Sequence, residues 1–155
     1  MRELEYLGNK NLLKLPKTAF LASNTISSET VLRCYDWATE MCRQGRCVVS
    51  GFSSKLEKDV LHFLLKGNQP IIMVLARQMY KAVPTDLKEG LEQNRSLIIS
   101  TSQAVRQSRA TALARNRYVC ELADEILLVG AAEGSSLKEL SKQYEDKIIP
   151  ILSRY

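Results

Sequence analysis

The chain has 155 residues, of which 45% are hydrophobic and 25% are charged, and its formal net charge is +5. This length and composition are typical of one soluble globular domain with a single core, so we take residues 1–155 as that domain. No stretch approaches the roughly 20 consecutive apolar residues that a membrane span needs, and no apolar signal core follows the first five residues. We therefore expect a cytoplasmic protein without membrane contact.

The cysteines and the single histidine do not form a metal-binding pattern. The four cysteines are Cys34, Cys42, Cys47 and Cys120, none of them in a CxxC pair, and His62 has no cysteine at metal-ligand spacing. We predict reduced, mostly buried thiols, no metal site and no other cofactor.

Short apolar runs alternate with helical patterns along the chain, after a lead-in at residues 1–17 that we expect to pack on the domain. In chain order the predicted elements are a strand at residues 18–23, a helix at 27–44, a strand at 46–50, a helix at 55–66, a strand at 71–75, a short helix at 84–93, a strand at 97–100, a helix at 105–123, a strand at 125–129, a helix at 135–145 and a strand at 147–152.

The character of the strands predicts the fold class. They are continuous apolar runs rather than alternating ones, which indicates a sheet that is covered on both faces. Strands that alternate with helices through short connections indicate right-handed crossovers and a parallel sheet. The predicted fold is therefore α/β, a Rossmann-like three-layer α/β/α structure with a doubly wound, mostly parallel sheet.

The loops that follow the predicted strands are the first place to look for a site, because ligands of open parallel sheets bind at the carboxyl ends of the strands. These loops, at residues 23–25, 51–54, 76–78, 101–103 and 130–136, are rich in hydroxyl groups, amides and glycine. Each loop alone is explained by ordinary turns and helix caps, but five such loops on one edge favour an anionic ligand such as phosphate. Neither GxGxxG nor the P-loop pattern GxxxxGK[ST] occurs.

Positive charge concentrates in one segment. Residues 101–120 contain four arginines and no acidic residue. Such a cluster is a candidate phosphate surface, and the alternative is a solvated helix face.

Catalytic patterns are sparse: GxSxG is absent, His62 lies in a predicted helix, and Glu133 is a single loop carboxylate. We predict no catalytic residue and lean towards a protein that is not an enzyme.

Several segments, in order along nearly the whole chain, resemble the DNA-processing protein A (DprA/Smf) family. They include the lead-in at 6–27, residues 49–53 (VSGFS, similar to VSGLA), the spacing of 74–84, the strand at 97–100, residues 115–119 (RNRYV, similar to RNRII) and the segment 124–137. The resemblance implies a Rossmann-like core that binds single-stranded DNA and helps to load a recombinase. It also implies that Ser50, Gly51, Arg115 and Arg117 contact phosphate and that Asn116 positions the loop or hydrogen-bonds the ligand.

The loops, the arginine cluster and the resemblance together give one set of predicted nucleic-acid or phosphate contacts. The set is Ser23, Asn24, Ser50, Gly51, Phe52, Ser53, Arg77, Arg106, Arg109, Arg115, Asn116, Arg117, Ser135 and Ser136. The chain departs from the family pattern where Ala76 and Gln78 replace two glycines, Gly130 replaces a glutamate, and LASN stands in place of VGSR. Because residues with side chains stand where the family has glycine, we expect a narrower or altered pocket.

Three functions remain open at this point. The first is a DprA-like homodimer that binds single-stranded DNA in DNA processing and recombination, with a recombinase as a partner by resemblance. The second is a nucleotide sensor, or a nucleoside-monophosphate phosphoribohydrolase of the wider DprA–LOG superfamily with Glu133 as its acid. The third is a degenerate dimeric scaffold without a ligand.

Overall fold

A seven-stranded sheet forms the centre of the computed structural model, which describes residues 4–151. In chain order the strands are β1 (Glu5–Gly8), β2 (Lys17–Ala22), β3 (Cys47–Ser50), β4 (Ile71–Leu75), β5 (Ser96–Ser100), β6 (Glu125–Val129) and β7 (Ile148–Ile149). Their spatial order is β1-β5-β4-β3-β2-β6-β7. Only β1 is antiparallel to its neighbour, which confirms the predicted mostly parallel sheet.

Helices cover both faces of this sheet. They are α1 (Ser28–Gln44), α2 (Lys55–Leu64), α3 (Thr85–Glu92), α4 (Arg109–Leu122) and α5 (Ser136–Gln143), with short 3-10 helices at Lys10–Lys14 and Glu145–Lys147. Helices α1, α2 and α3 share one core with the sheet, while α4, α5 and the first 3-10 helix share the other. None of the helices described within residues 4–151 is long and apolar enough to cross a membrane.

Strands β2 to β6 contribute alternate residues to the two cores, which explains why these strands are apolar along most of their length. In β2, Phe20 packs into the core under α1, where its ring stacks on Trp37 with centroids 5.2 Å apart. Its neighbours Ala19 and Leu21 face the opposite core under α4. The three-layer Rossmann-like α/β/α fold predicted from the sequence is confirmed.

Three regions differ from the sequence predictions. Within the lead-in, residues Glu5–Gly8 form an edge strand that pairs with β5, where no strand was predicted. Helix α4 begins at Arg109 rather than at residue 105, because Ser108 caps it: the Ser108 side chain accepts from Thr111 N, and the Thr111 side chain accepts from Ser108 N. The last predicted strand shrinks to Ile148–Ile149, and its residue 152 lies outside the described residues.

The winding of the chain determines where a ligand can bind. Strands β2 and β6 are neighbours, but β2 continues into α1 on one face and β6 leads to α5 on the other. Doubly wound sheets bind their ligands outside the carboxyl ends of the strands, so this edge is where a site is expected. The loops after β2, β3, β4, β5 and β6 all lie at this edge.

Candidate nucleic-acid interface

Arg115 is a buried cation at the carboxyl edge of the sheet. Helix α4 packs across β2, β3 and β4, and the Arg115 residue is 2% exposed. Its Nε donates to Asn116 Oδ1 at 2.8 Å, its Nη1 to the Val74 carbonyl at 3.3 Å, and its Nη2 to Ser53 Oγ at 3.0 Å. All three acceptors are formally neutral.

No carboxylate within the described residues lies at ion-pair distance from Arg115. Burial lowers the pKa of Arg115, and the charge of Glu57 partly offsets this effect. A buried charge is costly unless it is paired. The guanidinium is therefore a place where an anion would be stabilised.

The loop after β3 is shaped to admit this guanidinium. A Cβ added at Gly51 would clash with Cζ and Nη1 of Arg115, so the close approach requires glycine here. The next residue, Phe52, has a φ of 49°, a conformation that is uncommon for a residue with a side chain. Its N–H donates to Ser50 Oγ at 3.0 Å, which stabilises the turn.

Glu57 holds this loop against β2. Its buried carboxylate accepts from Ala22 N at 2.9 Å, Ser53 N at 2.9 Å and Ser54 N at 3.3 Å. Sequence analysis did not include Glu57 in the site. The sequence did contain an indication of its role, since Ser54 and Glu57 have the spacing of a capping box. In the structure both hydrogen bonds of this box form.

A cavity of about 280 Å³, which we call the Arg115 cavity, lies beside this loop. It brings together five of the predicted site residues, namely Gly51, Phe52, Ser53, Arg77 and Arg115. Lys58 adds another positive charge, Gln107 an amide, and Tyr80 an aromatic ring, and the cavity lining includes no acidic residue. Phe52 is 4% exposed, so most of its ring belongs to the core rather than to the cavity.

Five further predicted residues lie in two neighbouring depressions. The Arg109 groove, between α4 and the start of α5, is lined by Arg109, Asn116 and Ser136 together with apolar residues of α4. The Asn24 pocket, between the starts of α1 and α2, contains Ser23 and Asn24. Asn24 connects two loops here, because its Oδ1 accepts from Lys55 N at 3.2 Å.

The four remaining predicted residues line none of these three depressions. Ser50 is buried below the loop that it stabilises, and Ser135 caps α5 by accepting from Lys138 N. Arg106 and Arg117 are exposed. Arg117 follows Arg115 by two positions, which is about 200° around a helix axis, so the two arginines point in different directions.

The residues considered for catalysis or metal binding lie apart from the Arg115 cavity. The Glu133 side chain is 85% exposed, and its carboxylate lies 3.6 Å from Lys138 Nζ. His62 is exposed on α2. Within residues 4–151 no group of three or more histidine, cysteine or acidic side chains is arranged to hold a metal ion.

Comparison with known proteins extends over nearly the whole chain. The model of the DNA recombination-mediator protein A family matches residues 2–142. This chain belongs to that family. The resemblance to DprA found in the sequence is thereby confirmed. No curated protein sequence matches the chain significantly.

Solved structures of the same family share the fold. DNA processing protein A from Helicobacter pylori, whose single-stranded DNA binding mode has been described structurally, is 22% identical with a TM-score of 0.72, over 95% of this chain and 70% of that one. DprA from Streptococcus pneumoniae is 20% identical with a TM-score of 0.74, over 95% of this chain and 54% of that one. This chain therefore spans little more than half of the length of the pneumococcal protein.

The fold also occurs outside the DprA family. A molybdenum cofactor binding protein from Rippkaea orientalis is 12% identical with a TM-score of 0.62, over 88% of this chain and 76% of that one. At this identity the match concerns the fold alone. The ligand of this DprA-family chain therefore has to be argued from its own residues.

Proposed function

We propose that this chain binds single-stranded DNA without catalysis, through phosphate contacts in the Arg115 cavity and the Arg109 groove. The observation that carries the proposal is the buried guanidinium of Arg115, whose three hydrogen-bond acceptors are neutral and which lines a cavity with no acidic residue among its described lining. A phosphate oxygen is the kind of partner that satisfies such a group, since arginine binds phosphate through charge-assisted hydrogen bonds.

Asn116 supports a continuous path for the strand. Its Oδ1 accepts from Arg115 Nε at 2.8 Å, and the same residue lines the Arg109 groove. One hydrogen bond therefore connects Arg115 of the cavity to Asn116 of the groove. A strand with one phosphate at Arg115 would reach Arg109 by crossing Asn116, and the exposed Arg106 would lie near its path.

Membership of the DprA family favours nucleic acid over other phosphate ligands. The described binding of single-stranded DNA by the Helicobacter pylori protein adds to this support. The positions of Glu133 and His62 give no comparable support to a phosphoribohydrolase, because neither side chain lines the Arg115 cavity.

The test is a fluorescence-anisotropy titration of a labelled single-stranded oligonucleotide at low and moderate salt. We expect Arg115→Gln to weaken binding about tenfold or more at low salt, since one charge-assisted contact of roughly 1.5–3 kcal/mol is lost. The slope of log K against log salt should also become less steep by about 0.7, the value for one phosphate of a single strand.

Arg95→Gln is the matched control. Arg95 is partly buried, with 18% of its side chain exposed, and donates to the Gly67 carbonyl at 3.1 Å, but it precedes β5 at the opposite edge of the sheet. Its variant should bind like the native protein. Unchanged affinity of the Arg115 variant, or an absence of strand binding by the native protein at low salt, would contradict the proposal. Displacement of the strand by an equimolar mononucleotide would instead favour the nucleotide sensor.

We also propose, from family resemblance, that the chain is a single cytoplasmic domain that forms a homodimer and interacts with a recombinase. The large apolar side chains exposed on its surface include Leu32 in α1 and Val105 in the loop before α4. They lie in separate parts of the chain, so they do not by themselves locate an interface. The molar mass measured by light scattering at high concentration tests the homodimer, and a monomer there would contradict it.

A further inference from the structure

A buried amide oxygen without a hydrogen-bond donor lies at the edge of the sheet opposite the Arg115 cavity. It belongs to Gln69, which precedes β4 and is 1% exposed. The Gln69 Nε2 donates to the Leu64 carbonyl at 2.6 Å, which fixes the nitrogen on that side and the oxygen Oε1 on the other. Within residues 4–151, Oε1 is the one buried side-chain nitrogen or oxygen that has no partner. An orphaned acceptor of this kind costs stability, so a group that donates to it would be stabilised.

Gly67 leaves a gap between this oxygen and the thiol of Cys42. A Cβ added at Gly67 would clash with Gln69 Oε1 and would lie 2.8 Å from Cys42 Sγ. The amide oxygen and the sulfur therefore border the same space. Gly67 does not have a positive φ, so its backbone conformation does not require glycine. What this position provides is the room that a side chain would fill.

The same thiol lines a small cavity between the ends of α1 and α2, which we call the Cys42 cavity. Its volume is about 170 Å³, and Thr39, Phe63, Lys66 and Gly67 complete its lining. Sites that hold drug-sized ligands begin at roughly 300 Å³. A molecule of the size of hydrogen peroxide therefore fits the Cys42 cavity, whereas a bulky disulfide is too large for it.

The surroundings of Cys42 do not activate the thiol. Burial raises its pKa, so the thiolate fraction is small near neutral pH and reaction with an oxidant is slow. The thiol donates to the Phe63 carbonyl at 3.6 Å, a weak bond whose loss costs little. The orphaned oxygen of Gln69 instead offers a partner to an oxidised sulfur that carries a hydroxyl group.

We propose that Cys42 is a site of reversible oxidation by hydrogen peroxide, at which the sulfenic acid donates its hydroxyl to Gln69 Oε1. In this reaction the sulfur attacks one peroxide oxygen, the O–O bond breaks and an S–O bond forms. The thiol proton passes to the departing hydroxide, which leaves as water, so an electron pair moves from sulfur to peroxide. The new oxygen lies in the gap beside Gly67.

The site would also keep the sulfenic acid from reacting further. Sulfenic acids condense with thiols or are oxidised by more peroxide to sulfinic acid, which is not reversed by ordinary thiols. The narrow Cys42 cavity hinders the approach of a thiol, and the hydrogen bond to Gln69 has to break before a second peroxide reacts. Cys42 lies at the edge opposite the Arg115 cavity, so the proposal is independent of strand binding.

The experiment treats the folded protein with graded amounts of hydrogen peroxide and then unfolds it in urea with dimedone, which labels sulfenic acids. Peptide mass spectrometry should find the label on Cys42 and little on Cys34, Cys47 or Cys120, and dithiothreitol before unfolding should remove it. In Gln69→Met, the ratio of sulfenic to sulfinic acid at Cys42 should fall about fivefold, the value of one ordinary hydrogen bond. Gly67→Ala, which fills the gap, should lower the ratio in the same direction.

Gln44→Met is the matched control, because Gln44 is an exposed glutamine at the end of the same helix and donates to Glu40. It should keep the native ratio. Alkylation of the reduced protein by iodoacetamide does not involve the oxidised sulfur and should proceed at the native rate in Gln69→Met. A native protein without label on Cys42, equal label on all four cysteines, or an unchanged ratio in Gln69→Met would overturn the proposal. A ratio that falls only in proportion to faster alkylation would overturn it as well.

Discussion

The contact between Gly51 and Arg115 joins the two motifs that anchor the family resemblance, the serine–glycine loop and the RNR segment. The guanidinium occupies the space in which any other residue at position 51 would place its Cβ. The two positions therefore depend on each other. A change at residue 51 would therefore act on the proposed ligand through Arg115, although glycine has no side chain to contact it.

Gly51→Ala should displace the Arg115 guanidinium and weaken strand binding about as much as Arg115→Gln does. It should also lower the free energy of unfolding by about 1–3 kcal/mol, the usual cost of overpacking a filled site. Anisotropy and urea unfolding measure the two effects. Gly90→Ala is the control, because its Cβ would clash with Ser96 Oγ, in the contact between α3 and β5. That variant should lose stability and keep its affinity, and a parallel loss of affinity would contradict the coupling.

Sequence analysis selected residues that the fold brings together, but it did not show how they divide among the three depressions. Gly51, Ser53, Arg77 and Arg115 were all predicted, and all line one cavity. Helical spacing alone shows that Arg115 and Arg117 point in different directions, but not which of them faces the sheet. That depends on how α4 packs on β2, β3 and β4, which is a property of the tertiary structure.

The start of α4 links helix stability to the cavity. Ser108 caps the helix through Thr111 N at 3.2 Å. Its neighbour Gln107 lines the Arg115 cavity, and Arg115 follows two turns later in the same helix. The cap therefore determines where the loop ends and where the cationic helix begins.

Ser108→Ala should lower the free energy of unfolding by about 1 kcal/mol, the typical cost of a lost N-cap, and should weaken strand binding by loosening the entry to α4. Ser27→Ala is the matched variant, since Ser27 caps α1 through Thr30 N at 3.3 Å. It should cost similar stability without changing affinity. Urea unfolding measures the stability of the two variants, and anisotropy measures their affinity for the strand. Equal affinities would show that the Ser108 cap does not affect binding.

At the scale of whole elements, strands β2 to β6 agree with the sequence predictions to within one residue at each end. Their buried, continuous apolar runs carry a strong local signal. Strand β1 carries no such signal, because it is four residues long and mostly exposed. β1 is stabilised by its pairing with β5, which lies more than 85 residues away along the chain. The local sequence of β1 contains no information about this partner.

The molecule as a whole buries thiols that ionise more easily when the chain unfolds. Burial raises the pKa of Cys34, Cys47 and Cys120 to about 12, whereas an unfolded thiol has a pKa of about 8.5. Above that pH the unfolded chain releases protons that the folded protein retains. The stabilising contribution is therefore complete below about pH 8 and is lost as the pH rises towards 12.

We accordingly expect the free energy of unfolding in urea to be lower at pH 10 than at pH 8. Cys34→Ala removes one of the three titrating groups, so its decrease over the same interval should be smaller. With a thiol reagent at pH 8, the half-buried Cys42 should react first and the three buried thiols only after addition of urea. Equal stability at both pH values, or rapid reaction of all four thiols in the native protein, would contradict this account.

The buried guanidinium of Arg115 has a consequence for the lifetime of the protein in a cell. If the proposed strand binds at Arg115, the loaded molecule is more stable than the empty one, and a ligand at a hundred times its dissociation constant adds about 2.7 kcal/mol. Proteases act on the small unfolded fraction, so a difference of this size changes abundance severalfold. Molecules bound to a strand would be degraded more slowly than free molecules. The cellular level of this protein would therefore rise and fall with the concentration of its ligand.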